Sequence, residues 1–324
     1  MIKRSQRRPA PAADASDPPA QRDAVDVIIV GAGPAGLSAA LLLGRCGRST
    51  LVFDRGTPRS WASRHMYGFL TRDGIPPAEF LKAARNDLAK YRHVGFVNAQ
   101  VEQVAKSDDG GFVIGYNGGE CKRCRKLLIA TGLFDELPKL EGFAKLFGNG
   151  VFQCPYCDGW ELRGKRLVAY GSKTRGYDMA KALTAWSSNV VLCSDGPSGL
   201  NASQRDALAR QHIPVIEAPL ARLVSVKGKL GRVEFKAGPP LDCDALFFDT
   251  PSHQQCNIAQ LAGCAFTDIG GIRCNRLLES TVPGVFVAGN ITRDVQLSIV
   301  AAAEGAKAAF AINRALTREA FGPP

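Results

Sequence analysis

Two cysteines lie three positions apart in the segment Cys154-Pro155-Tyr156-Cys157, and Asp158 follows them directly. Cysteines at this spacing can close a small disulfide ring, and such motifs often lower a thiol pKa so that one thiolate is available for exchange. The carboxylate of Asp158 can move the proton that exchange releases or consumes. The pattern therefore predicts a redox-active thiol–disulfide site with Cys154, Cys157 and Asp158 as its catalytic residues.

Half of a zinc site is the alternative interpretation of this cysteine pair. The partner pair would be Cys121 and Cys124, but 29 residues (125–153) separate the two pairs, whereas zinc ribbons use roughly 15–20. In a strand, Cys121 and Cys124 would also point to opposite faces, which opposes chelation. We favour the redox interpretation, predict no metal site, and interpret Cys121 and Cys124 as incidental.

A second motif, at residues 31–36, has the spacing G-x-G-x-x-G between a β-branched run and an Ala/Leu-rich run. Gly31 permits a tight turn, Gly33 lets a pyrophosphate approach the backbone, and Gly36 lets helix and strand pack closely, while the helix start supplies free N–H groups. Asp54 ends the next predicted strand and can bind ribose hydroxyls. The motif predicts dinucleotide binding by Gly31, Gly33, Ala35, Gly36 and Asp54.

Hydrophobic patterning predicts that this βαβ unit is interrupted by a second one, which opens at Gly171. We expect an α/β fold of two nucleotide-type domains, the second inserted into the first. The predicted strands are 25–30, 49–54, 96–104, 111–116, 126–130, 166–172, 189–195, 246–251 and 284–290; the predicted helices are 78–91, 177–186 and 297–316; and 136–150 is a predicted linker.

Length and composition limit the class of protein. The 324 residues suit two domains, 41 Lys and Arg against 30 Asp and Glu give a net charge of +11, and ten cysteines are too sparse for a disulfide framework. The basic charge comes without an aromatic-basic signature, which disfavours nucleic-acid binding. Residues 1–24 predict a disordered tail, and the sequence shows neither a signal peptide nor a membrane span, so we expect a cytoplasmic protein. The six cysteines outside the two pairs are expected to be buried, small apolar residues: Cys46, Cys193, Cys243, Cys256, Cys264 and Cys274.

Five segments together resemble the low-molecular-weight thioredoxin reductase family of flavoprotein disulfide oxidoreductases, over about residues 25–316. They occur in the family's order and read GAGPAG (31–36), IATG (129–132), CPYCDG (154–159), PGVFVAG (283–289) and AAAEGAKAA (301–309). The resemblance implies two three-layer ββα Rossmann-like domains. The FAD-binding domain would comprise 25–137 and 252–318, and the inserted NAD(P)-binding-like domain, 138–251, would carry the redox cysteines.

The resemblance also implies roles for individual residues. Cys157 would lie next to the flavin, Cys154 would attack the external disulfide, and Asp158 would be the proton-transfer acid. It also implies further FAD contacts. Val101 would contact the adenine, and Ala130, Thr131 and Gly132 would contact FAD at the domain crossing. Asn290 belongs to the second FAD motif, and Gln296 belongs to the segment over the flavin ring.

Three positions depart from the family's pattern. Lys173 replaces the second glycine of the second turn, where its side chain would crowd an approaching phosphate. Ser194-Asp195-Gly196 stands where NADPH-dependent members carry His-Arg-Arg, and an Asp there disfavours a 2′-phosphate. Asn290 replaces an Asp but keeps the oxygen acceptor. FAD binding is therefore expected. Use of NADPH or NADH is an open question, because Lys173 and Arg175 could instead hold phosphates by their charge.

The sequence thus predicts an FAD-dependent thiol–disulfide oxidoreductase that works through Cys154 and Cys157 on a thioredoxin-like protein or a small-molecule dithiol or disulfide. The alternative is an oxygen-dependent dithiol oxidase that forms disulfides in a small molecule and has lost NADPH use. Ferredoxin or another flavoprotein as electron donor also stays open, and so does a flavin-binding sensor or interaction protein whose cysteines only report the redox state. By analogy with the family, the protein is expected to be a homodimer.

Overall fold

The computed structural model describes residues 18–322. The first 17 residues of the predicted tail lie outside that range. The rest of the tail contributes a short 3₁₀ helix, Pro19–Gln21, and the first residue of strand β1.

The strands lie in four sheets, and the helices pack against them. In chain order the strands are β1 (Ala24–Val30), β2 (Thr50–Phe53), β3 (Val94–Val97), β4 (Val101–Lys106), β5 (Phe112–Tyr116), β6 (Glu120–Ile129), β7 (Leu133–Asp135), β8 (Val151–Phe152), β9 (Leu167–Tyr170), β10 (Val190–Cys193), β11 (Val215–Ile216), β12 (Leu220–Val226), β13 (Lys229–Phe235), β14 (Leu241–Asp242), β15 (Ala245–Phe248), β16 (Ser252–Gln254) and β17 (Val285–Val287). The helices are α1 (Pro34–Arg45), α2 (Pro77–Leu88), α3 (Phe143–Leu146), α4 (Pro155–Asp158), α5 (Lys173–Leu183), α6 (Ala202–Arg210), α7 (Ile258–Leu261) and α8 (Ser298–Phe321), with further 3₁₀ turns at Arg59–Ala62, Trp160–Leu162 and Asn290–Thr292.

The first sheet has the order β3-β2-β1-β6-β5-β4, and β17 also pairs with β6. Strand β6 is long enough to pair with β5 in its first half and with β17 in its second half, so it joins an antiparallel region to a parallel one. Val27, Ile28 and Ile29 in β1 are fully buried, as expected for a parallel strand covered on both faces. Helices α1 and α8 cover one face of this sheet.

The second sheet is wholly parallel and has the order β11-β10-β9-β15-β8. It lies in sequence between β7 and β16, which pair antiparallel with each other at the two points where the chain crosses from one sheet to the other. Helix α5 covers one face of the second sheet, and the three-stranded sheet β12-β13-β14 covers the other. The molecule is therefore an α/β protein with two Rossmann-like units, the second inserted into the first, as the sequence predicted.

Several predicted bounds were wrong. The strand predicted at 96–104 is two strands, β3 and β4. The helix predicted at 177–186 begins at Lys173 instead, because its first turn is held by contacts to a distant loop described below. The predicted linker contains the short helix α3, and the last helix continues to Phe321. Two cysteines predicted to be buried, Cys46 and Cys274, are exposed, and Cys256 is half-buried.

Candidate active site

A cavity of about 1360 Å³ is lined by residues of the first sheet, the second sheet and the loop that follows β2. Its lining contains both the first glycine turn and the two cysteines of the CxxC motif. Sequence spacing could not predict that these two motifs lie close together, because they are 118 residues apart (Gly36 to Cys154) and belong to different Rossmann-like units. The predicted site residues that line the cavity are Gly31, Gly33, Ala35, Asp54, Val101, Ala130, Thr131, Gly132, Cys154, Cys157, Asp158, Asn290 and Gln296.

Cys154 and Cys157 are joined by a disulfide, with their Cα atoms 5.2 Å apart. Cys154 is the N-cap of the short helix α4, and its sulfur accepts a hydrogen bond from the backbone N–H of Cys157 at 3.1 Å. The ring of Tyr156, which lies between the two cysteines, is 76% exposed. The disulfide is thus at the edge of the cavity, where a second molecule can reach it.

Asp158 lies beside the disulfide and is largely screened from solvent. Burial, with a smaller contribution from the neighbouring charge of Glu161, raises the pKa of Asp158 to about 7. The pKa of Tyr67, which lines the same cavity, is raised as well by burial and then by the charges of Glu161 and Asp158. A carboxyl group with a pKa near 7 can both hold and release a proton at neutral pH.

The first glycine turn has the geometry that a dinucleotide needs. A Cβ atom on Gly31 or Gly36 would collide with backbone, since Gly31 abuts the carbonyl of Ala130 and Gly36 abuts the carbonyl of Gly31. A Cβ atom on Gly33 would meet no atom of the described residues within 4 Å, so the cavity is open at the position where a pyrophosphate approaches. Helix α1 starts at Pro34 and directs its first free N–H groups there. Gly36 itself does not line the cavity.

Asp54, the predicted ribose ligand, directly follows β2 at the cavity wall and has a partner that the sequence did not reveal. It forms a salt bridge with Arg85 of helix α2, and its Oδ1 accepts a hydrogen bond from the N–H of Gly56 at 3.1 Å. The guanidinium of Arg85 also stacks over the ring of Phe96, 4.7 Å from its centre. Because a carboxylate offers about four acceptor positions, Asp54 can still accept a hydrogen bond from a ribose hydroxyl. The cavity's size, the open cradle at Gly33 and this carboxylate all fit FAD.

The second glycine turn, at 171–176, has a different geometry although two of its glycines are retained. Gly176 abuts the carbonyl of Gly171, as Gly36 does for Gly31. Lys173, however, is left-handed at φ +54°, and its backbone N–H donates to the carbonyl of Ser198 at 2.7 Å. A Cβ atom on Gly199 would lie 3.0 Å from the Cγ of Lys173, so the 198–199 loop lies against the start of helix α5.

The acid at the end of β10 is likewise engaged within the chain. The carboxylate of Asp195 accepts from the hydroxyl of Tyr170 at 3.1 Å and from the N–H of Leu220 at 2.7 Å. Glu217 accepts from the N–H of Ser198 at 3.0 Å and from Arg205 at 2.7 Å. Two carboxylates therefore follow the neighbouring strands β10 and β11, and both accept hydrogen bonds from within the chain.

Cys121 and Cys124 lie on opposite faces of strand β6: Cys124 is buried and Cys121 is exposed. Residues 18–322 contain no group of three or more His, Cys, Asp or Glu side chains that could hold a metal ion. Within the same residues, none of the helices has the length and apolar character that crossing a membrane requires.

A disulfide and a dinucleotide cradle on one cavity define a flavoprotein disulfide oxidoreductase. The chain belongs to the pyridine nucleotide-disulphide oxidoreductase family, whose model matches residues 25–305. It is 29% identical to the thioredoxin reductase tcpT of Claviceps purpurea, over 82% of this chain and 86% of that one, and 27% identical to the thioredoxin reductase of Aquifex aeolicus, over 90% and 93%. The crystal structure of HlmI superposes with a TM-score of 0.88 at 33% identity, covering 92% of this chain and 94% of that one. The protein is thus an FAD-dependent, thioredoxin-reductase-like thiol–disulfide oxidoreductase.

Substitution Gly33→Ala should weaken FAD binding without unfolding the chain. The new methyl group would project into the cavity where the pyrophosphate approaches, whereas the backbone of Gly33, with φ −76° and ψ −173°, suits any residue. We expect the Kd for FAD, measured by titration of apoprotein, to rise about tenfold or more. The melting temperature of the apoprotein should stay at the wild-type value; an unchanged Kd would place the phosphates elsewhere.

Substitution Asp158→Asn should stabilise the oxidised protein above pH 7. The pKa of Asp158 is raised in the folded state from 3.8 to about 7, so the folded chain binds more protons than the unfolded chain between these values, and wild-type stability falls as the pH rises through that window. The amide variant escapes the loss. Urea denaturation at pH 4 and pH 8 should show a gain for the variant only at pH 8, and the exposed Asp178→Asn serves as the control; equal gains at both pH values would contradict the burial argument.

Proposed function

We propose that this protein is a dithiol oxidase: it takes an electron pair from an external dithiol through Cys154 and Cys157 and passes it by way of FAD to dioxygen, without NAD(P)H. The observation that supports this direction is the hydrogen bond from the N–H of Lys173 to the carbonyl of Ser198. A nucleotide phosphate at the second glycine turn would need free backbone N–H groups, and this hydrogen bond already uses the N–H of Lys173.

The electrostatics around this turn support the same proposal. A 2′-phosphate would have to approach Asp195 and Glu217, both of which already accept hydrogen bonds within the chain. The basic side chain of Arg175, which could attract a phosphate, faces Asp249 at 3.6 Å. Lys173 also occupies the position of the second glycine, so its side chain would crowd a phosphate that approaches the backbone there.

The proposed chemistry follows from the position of the disulfide. A substrate thiolate attacks Cys154, a mixed disulfide forms, and the Cys154–Cys157 bond breaks with Cys157 leaving as a thiolate. The second substrate thiol then attacks the substrate sulfur of the mixed disulfide, which releases a disulfide product and leaves both cysteines reduced. Asp158, whose pKa is about 7, takes up the proton of an attacking thiol.

FAD bound in this cavity would supply the acceptor for the electron pair of the reduced cysteines and its onward transfer to dioxygen, so that a dithiol and O₂ would become a disulfide and hydrogen peroxide. We propose that the cofactor is held at the turn, the strand ends and the crossing that line the cavity. The residues proposed for this are Gly31, Gly33, Ala35, Gly36, Asp54, Val101, Ala130, Thr131, Gly132, Asn290 and Gln296, with Cys157 next to the flavin and Cys154 next to the substrate.

The domain division that we propose is 25–137 with 252–318 for FAD and 138–251 for the disulfide-bearing unit. The pairing of β7 with β16, at both crossings, supports these boundaries. A cytoplasmic homodimer is proposed by analogy with the family.

Reduction of a thioredoxin-like protein is the second candidate function. The relatives from Claviceps and Aquifex, which are both thioredoxin reductases, support it. In that case the electrons would enter from NAD(P)H or from another donor such as ferredoxin, and would leave through Cys154.

Anaerobic stopped-flow mixing separates the two directions. We expect dithiothreitol to bleach the flavin band at about 450 nm within seconds. NADPH and NADH at the same concentration should leave the band unchanged, because the second glycine turn offers no free phosphate site. Readmitted oxygen should restore the band and produce one hydrogen peroxide per dithiol consumed.

Cys154→Ser and Cys157→Ser are the controls for this experiment, since each removes the disulfide and should slow bleaching by dithiothreitol at least about 100-fold. Fast bleaching of the wild type by either nicotinamide nucleotide would overturn the oxidase proposal and favour the reductase. Cysteine variants that retain wild-type turnover would favour a redox sensor.

A further inference from the structure

Arg59 is a residue of the cavity wall to which no sequence motif draws attention. Its Nε and Nη2 atoms donate to the two carboxylate oxygens of Asp135, both at 2.6 Å, and Nη1 donates to Gln296. The side chain of Asp135 is only 7% exposed, so this fork–fork pair is largely removed from water, where it is stronger than a surface ion pair. Arg59 therefore connects the loop after β2 to strand β7 and to the segment before α8.

The three residues that follow Arg59 reach across to the unit that carries the disulfide. The ring of Trp61 lies 5.9 Å from the ring of Phe147, centre to centre. A Cβ atom on Gly148, which is left-handed at φ +74°, would collide with the carbonyl of Ala62. The backbone of the two units is thus in direct contact here, without space for one additional methyl group.

This contact is close to the disulfide along the chain and in space. Phe147 lines the same cavity as Cys154, and only the two-residue strand β8 and a few flanking residues separate them in sequence. Strand β8 pairs with β15 inside the second sheet, so the segment between Gly148 and Cys154 is held by that sheet. A shift of Phe147 and Gly148 would therefore be accompanied by a shift of the disulfide.

We infer that Arg59 is a positioning residue for electron transfer: by holding the turn Arg59–Ala62 against Phe147 and Gly148, it sets the position of the Cys154–Cys157 pair relative to the cofactor cavity. This role rests on the proposed transfer from the cysteines to FAD. Direct binding of an anion by Arg59 is disfavoured, because Nε, Nη1 and Nη2 all have partners within the chain.

The test measures two steps separately in Arg59→Met and in Gly148→Ala. Reduction of the disulfide by dithiothreitol, followed in apoprotein by alkylation and mass spectrometry, should keep its wild-type rate. Flavin reduction in the reconstituted protein should slow about tenfold or more, because displacement by about 1 Å can cost 100-fold in such steps. The Kd for FAD should change by less than about threefold in Gly148→Ala, because Gly148 is not among the residues proposed to hold FAD. Arg59→Met loses the hydrogen bond to Gln296, so its flavin-reduction rate is compared with the wild type at saturating FAD.

Gly164→Ala is the matched control for Gly148→Ala. Gly164 has nearly the same backbone conformation, φ +68°, but a Cβ atom there would meet no described atom within 4 Å, so it carries the same backbone strain without the contact. Arg59→Lys, which keeps the charge but loses the planar fork, should be intermediate in rate. The double variant of Arg59→Met and Gly148→Ala should be no slower than its slower parent, since both act on one contact.

Wild-type flavin-reduction rates in both Arg59→Met and Gly148→Ala would overturn the positioning role. Equal slowing of disulfide reduction in apoprotein, or an effect of Gly164→Ala as large as that of Gly148→Ala, would also overturn it by showing general damage. If dithiothreitol does not reduce the flavin of the wild type at all, the proposed function itself fails, and this result is distinct from the others.

Discussion

The chemistry of this protein depends on bringing a disulfide that belongs to one sheet to a cofactor cavity that belongs to another. Two close backbone contacts, of Gly31 with Ala130 and of Gly148 with Ala62, leave no room for a Cβ atom on either glycine. Cys154, Cys157 and the first glycine turn all line this one cavity. Burial beside the disulfide also raises the pKa of Asp158 to about 7.

The two glycine turns illustrate how one architecture serves different purposes. Both use their first and third glycines for close packing of helix and strand, and they differ at the second glycine. At Gly33 the space stays open, whereas at Lys173 a hydrogen bond to Ser198 brings a loop against the helix start. A retained Rossmann topology therefore does not by itself imply a retained nucleotide. The basic side chain of Arg175 at this turn faces Asp249 at 3.6 Å.

Much of this structure follows from local sequence patterns. Glycine spacing, the CxxC motif and the buried parallel strands predicted the two nested Rossmann-like units, because each depends on residues close together in the chain. The start of α5 could not be predicted, because the N–H of Lys173 donates to the carbonyl of Ser198, and local sequence patterns do not indicate a contact between residues so far apart. Arg59 and Arg85 were missed for the same reason: their partners, Asp135 and Asp54, are 76 and 31 residues away.

The most direct test of a disulfide that exchanges electrons with FAD is to count them. In an anaerobic reductive titration of the FAD-loaded protein, the wild type should take up four electrons per chain before the flavin is fully bleached, two for the Cys154–Cys157 bond and two for the flavin. Cys154→Ser should take up two. A wild type that is fully bleached after two electrons, with its disulfide intact, would contradict the account.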